Sequence, residues 1–98
     1  MIFGKKIRTL REERGMLQRQ LSAALEIDTP MYSKIERGER PAKQSQLPIL
    51  AKIFQVDEKE LLTIWLADKV LDIMADAGDL KNEVIACVQK TIEEENRP

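Results

Sequence analysis

The sequence has no histidine, one cysteine and four aromatic residues among 98. Without histidine it lacks the commonest general base, the usual zinc ligand and the side chain that titrates near neutrality. A lone cysteine, Cys87, forms no internal disulfide and no thiolate metal cage. A reducing cytoplasm is the expected setting, with Cys87 as a small apolar filler. The four glycines (Gly4, Gly15, Gly38, Gly78) are scattered and build no phosphate-cradling loop. Apolar runs such as 49–51 and 64–67 are far too short to span a bilayer. The opening residues, Met1-Ile-Phe-Gly-Lys-Lys, lack the apolar stretch of a signal peptide. So few aromatics exclude a broad base-stacking platform. No metal, cofactor, membrane or enzymatic reaction is expected of such a chain.

What is present is charge, unevenly placed. The net charge is −1, which taken whole speaks against a nucleic-acid binder. Residues 1–43, however, hold ten Lys/Arg against six Asp/Glu, and residues 44–98 hold six against eleven. A basic first half joined to an acidic second half suggests two parts with different partners.

The pattern is helical throughout, with no alternating strand signal and no hairpin dipeptide. A first helix is expected over 3–14, carrying Phe3, Ile7 and Leu10 on one face and stopped by Gly15. A second runs over 17–25, with Leu17, Leu21, Ala24 and Leu25 inward. Asp28 caps a third over 29–37, with Pro30 in its first turn, Met31, Tyr32 and Ile35 inward, and Gly38 at its end. Residues 39–44 form a loop. A fourth helix is expected over 45–54, where Pro48 is tolerated if Ser45 is the cap. Asp57 and Glu60 read as a capping box for a fifth over 58–76. Gly78 breaks it. Asp79 caps a sixth over 80–95, and 93–98 is expected to fray.

Helices two and three, short and joined by a tight turn, have the spacing of a helix-turn-helix. Around them stand Ile7, Leu10, Arg11, Gly15, Gln18, Leu21, Leu25, Ile27 and the run Ser33-Lys-Ile-Glu-Arg-Gly-Glu-Arg-Pro41, followed by Leu50-Ala51, Phe54, Val56 and Leu61-Leu62. Over residues 4–66 the chain resembles the Cro/phage-repressor (XRE-type) helix-turn-helix regulators. The resemblance implies an all-α, five-helix, repressor-like bundle, here with an extended fifth helix and an additional C-terminal helix. It also implies binding to double-stranded DNA, with the second helix across the phosphates and the third in the major groove. Carried over, Gln18 and Arg19 would meet phosphates at the start of the second helix. Thr29, Pro30, Ser33 and Lys34 would face base edges or nearby backbone, and Arg37, Arg40 and Lys43 would follow the phosphates. Arg11 and Glu36 would form an internal ion pair. The chemistry agrees: cations neutralise phosphates and release counterions, and a groove-facing helix needs short or polar residues at its start. Three positions depart from the family pattern. Leu17 stands where a Ser or Thr cap is usual, Ser22 where Ala is common, and Glu26 where the turn usually has Gly and a left-handed backbone is required.

Residues 1–66 are therefore expected to form the DNA-binding domain and 67–98 a helical extension for dimerisation or a partner. The extension carries apolar residues beyond the needs of the bundle, and Trp65, Val70, Ile73, Met74, Val84 and Val88 are expected at a two-fold homodimer interface. The leading expectation is a sequence-specific transcriptional regulator in a bacterial or phage-encoded setting. The alternative is an antitoxin or adaptor whose C-terminal helices bind another protein.

Overall fold

The computed structural model describes residues 1–97, so the last residue of the expected frayed tail, Pro98, lies outside the described residues. The described residues form six α-helices and no strand: α1 Ile2–Glu13, α2 Gln18–Leu25, α3 Thr29–Glu36, α4 Leu47–Phe54, α5 Glu58–Met74 and α6 Lys81–Glu95. Short 3-10 segments, Gln44–Gln46 and Ala75–Leu80, precede α4 and α6. The chain divides into two compact units, Met1–Asp68 and the residues from Lys69 onward.

In the first unit, each helix buries its apolar stripe against the others. Phe3, Ile7 and Leu10 of α1 join Leu21 and Leu25 of α2, Tyr32 and Ile35 of α3, Leu47, Leu50 and Phe54 of α4, and Leu61 of α5. Leu17 and Ala24, expected inward, are exposed. Leu17 precedes the first turn of α2, and its backbone N–H, not its side chain, is engaged, donating to Gln20 Oε1 at 2.7 Å. That bond replaces part of the missing cap.

Four helices of this unit end in one geometry. Met16, Ile27, Glu39 and Val56 each donate a backbone N–H to the carbonyl five residues earlier, the mark of a left-handed residue just past the helix. Gly15 and Gly38 supply it without strain, whereas Glu26 and Gln55 adopt φ of 58° and 56° with a full side chain. The fourth helix starts later than expected. Gln44–Gln46 turn as a 3-10 segment, so Pro48 falls in the first turn of α4 and causes no kink. Asp57 Oδ1 accepts from the Lys59 N–H at 2.9 Å, but Glu60 does not close a capping box. It reaches Lys6 Nζ at 3.1 Å instead, tying α5 to α1.

Two contacts seat the start of α1. Asp68, buried on α5, accepts from the Ile2 and Phe3 backbone N–H groups through its two oxygens, both at 2.8 Å. A carboxylate there satisfies two amides that the helix itself leaves unpaired and complements its positive end. Gly4 then lets α1 approach the end of α3 backbone to backbone. A Cβ on Gly4 would lie 2.4 Å from the Glu36 carbonyl oxygen and 2.6 Å from that of Ile35.

In the second unit, α5 continues to Met74, not to residue 76, and gives way to the 3-10 segment, inside which Gly78 leaves helical geometry (φ 56°, ψ −126°). Asp79 lies within that segment and does not cap α6, which begins after Leu80 with no side-chain cap. Helix α6 runs through to Glu95, so residues 93–95 are helical instead of frayed. Cys87, expected as an apolar filler, is exposed.

Candidate nucleic-acid interface

The α2–turn–α3 unit is held by a small polar network. Asp28 caps α3, its Oδ1 accepting from the Met31 N–H at 2.7 Å, with Pro30 in the first turn. The hydroxyls of Ser22 on α2 and Thr29 on α3 lie 3.0 Å apart and share a hydrogen bond across the turn. Ser22 is thus more than a replacement for a small residue. Its position on α2, opposite a second hydroxyl at the start of α3, is the signal that sequence reasoning passed over.

Behind the turn, the Arg11 guanidinium grips the Glu36 carboxylate with two hydrogen bonds, Nε to Oε2 at 2.7 Å and NH2 to Oε1 at 3.0 Å. A third bond, from NH1, goes to the Met16 carbonyl at 3.0 Å. The Glu36 side chain is 2% exposed. Burial alone would raise its carboxyl. Burial is the largest single influence, but Arg11, Tyr32 and Gln18 beside it together outweigh it, so the group is held below the usual carboxylate range. The same hydrogen bonding, led by Glu36, raises Arg11 above its ordinary value. Burial, and then the neighbouring Glu36 carboxylate, push the Tyr32 phenol far up. This cluster joins α1 to α3 and leaves no unpaired anion beneath the face that α3 presents.

The nine residues that the resemblance assigns to DNA divide into two groups. Arg19, Lys34, Arg40 and Lys43 are exposed cations whose side chains make no hydrogen bond or ion pair among the described residues, and Pro30 is exposed beside them. The other four are engaged within the chain. Gln18 Nε2 donates to Glu36 Oε1 at 3.1 Å, so its side-chain amide is turned inward in the free protein. Thr29 is bonded to Ser22. Arg37 donates to Ser33 Oγ at 2.6 Å and also pairs with Glu39. Between α3 and the loop after it lies a hollow with an apolar floor of Ile27, Met31 and Ile35 and with Arg40 and Lys43 on its rim.

The residues expected at a dimer interface also divide. Trp65 is half-buried. It packs on the core of the first unit and donates its indole N–H to the Ala42 carbonyl at 2.8 Å. Met74 is buried within the chain itself. Val70, Ile73, Val84 and Val88 are exposed.

Among the described residues, no helix is long and apolar enough to cross a membrane, and no group of acidic or cysteine residues is arranged to hold a metal ion. No curated protein and no solved structure matches the chain. A helix-turn-helix family model matches residues 7–61, more than half of the chain, and covers the Arg11–Glu36 cluster, both helices of the turn and all four free cations. The protein belongs to the Cro/phage-repressor-type helix-turn-helix family of DNA-binding regulators.

Proposed function

We propose that the protein is a dimeric, repressor-like regulator of transcription that binds a palindromic operator through the major groove. Residues 1–66 bind DNA and 67–98 bring two copies together, in a bacterial or phage-encoded cytoplasm. The observation that carries the reading is the set of unpaired cations, Arg19, Lys34, Arg40 and Lys43, beside an α3 whose one buried acid is already neutralised. Arg19 flanks the start of α2, where free backbone N–H groups favour a phosphate. Arg40 and Lys43 rim a hollow whose apolar floor suits a deoxyribose and whose rim suits its phosphates. Lys34, on α3, is placed to reach a guanine edge. With one long cation and Pro30 as the free groups on α3, direct readout is thin, and groove shape carries much of the specificity.

Selection of bound sequences from random duplexes tests this reading, and a palindromic motif is the expected outcome. On that duplex, Lys34→Ala with Arg40→Ala should lower affinity by about tenfold or more and flatten the salt dependence by about two units of slope. Affinity indifferent to both substitutions and to salt would refute it. The second reading, an antitoxin or adaptor, is favoured by one observation, the exposed apolar side chains of α6. It requires a stable complex with a different protein that survives high salt.

A further inference from the structure

Helix α6 is fifteen residues long and has no buried residue. Val84, Ile85, Val88 and Ile92 are each between 37% and 49% exposed, and they fall at helical spacing on one stripe. A helix of this length is marginal in water by itself and owes its stability to what covers its apolar face.

Two features identify the cover. The first lies along the edges of the stripe. With Ile85 and Ile92 at the inner positions of a helix pair and Val88 between them, the flanking positions are Asn82, Val84, Gln89 and Thr91, all uncharged. A helix with two lysines and four glutamates has kept every charge away from the flanks where a copy of itself would place like charges together. The second lies at the ends. Glu93, Glu94 and Glu95 crowd the last turn, where their own helix dipole is negative and no basic residue offsets them. Lys81 opens the helix at its positive end. None of these four charges has an ion-pair partner among the described residues. Glu83 offsets Lys81 in the first turn, so the disfavoured end is the acidic one, and the Lys81 end of the same helix laid antiparallel complements it.

We propose that α6 pairs antiparallel with α6 of a second copy of this chain, with the two-fold axis near Val88 and Lys81 of each copy beside the acidic end of the other. This deepens the dimeric reading given above and rests on it.

The test uses the full chain. Sedimentation at micromolar concentration should give a dimer, and Val88→Asp or Ile85→Asp should weaken self-association about a hundredfold or more, because each buries an unpaired carboxylate. Orientation is read separately. In a Cys87→Ser background, Lys81→Cys chains mixed with Glu95→Cys chains should cross-link to each other on mild oxidation. A monomeric wild type, a dimer indifferent to both aspartates, or cross-links confined to 81–81 and 95–95 pairs would overturn the proposal. A palindromic motif with an aspartate-indifferent dimer refutes only this inference. Antiparallel cross-linking without a palindromic motif refutes only the operator.

Discussion

The two units of the chain treat similar side chains in opposite ways. The unit Met1–Asp68 encloses its apolar stripes and takes two carboxylates, Glu36 and Asp68, out of water as well, each with donors waiting for it. Helix α6 has an apolar stripe of comparable make-up and encloses none of it. Amphipathicity is therefore a demand for a surface, and only the first unit meets that demand from its own sequence. The contrast also explains the near-zero net charge. The basic half carries four unpaired cations, and every acid of the acidic half lies from residue 57 onward.

The comparison predicts that damage to the first unit leaves self-association through α6 intact. The largest effect is expected from Arg11→Met, which strands the Glu36 carboxylate in the interior. Urea unfolding should show a loss of about 3 kcal/mol, with dimerisation unchanged where the fold persists. Gly4→Ala comes next. Its methyl meets two carbonyl oxygens that belong to backbone and cannot swing aside, so α1 must move off α3. About 2 kcal/mol is expected, seen as a drop in Tm of roughly 8–16 °C.

Acid should act on the same cluster. The Glu36 carboxyl is lower in the folded than in the unfolded chain. As pH falls, the unfolded chain takes up its proton first, so this contribution is complete above about pH 5, near neutrality included, and drains away as pH drops toward the folded value. Chemical denaturation at stepped pH should show that loss, and Glu36→Gln should abolish it at the cost of lower stability at neutral pH. The smallest effect is a gain. Glu26→Gly should stabilise the first unit by up to about 1 kcal/mol by relieving its left-handed backbone, and a fall in Tm would contradict the account.

Much of the first unit is legible in the sequence because its signals are local. Asp28, Pro30 and Gly38 bracket α3, and Gly15 ends α1, each through chemistry confined to a few neighbours. Glu26 is legible only because the family pattern puts glycine there, and Gln55, which repeats the conformation, carries no local sign of it. What stays hidden is what depends on distant partners. Gln18 has the position of a phosphate ligand, yet its amide is held by Glu36, eighteen residues on. Trp65 has the type of an interface anchor, yet Ala42 supplies its acceptor. Asp79 and Glu60 have the spacing of caps, yet Asp79 lies inside a 3-10 segment and Glu60 is drawn to Lys6 on α1.

The carboxylate that receives the Ile2 and Phe3 amides has a practical consequence. The recognisable pattern spans residues 7–61, but the first turn of α1 is completed by Asp68 and its seat on α3 depends on Gly4, and both residues lie outside that span. A fragment trimmed to the pattern, or even to residue 66, leaves the leading helix with bare amides. A piece that keeps both acceptors for the first turn of α1 runs at least to residue 68, where the end of one chain segment reaches back to hold the beginning.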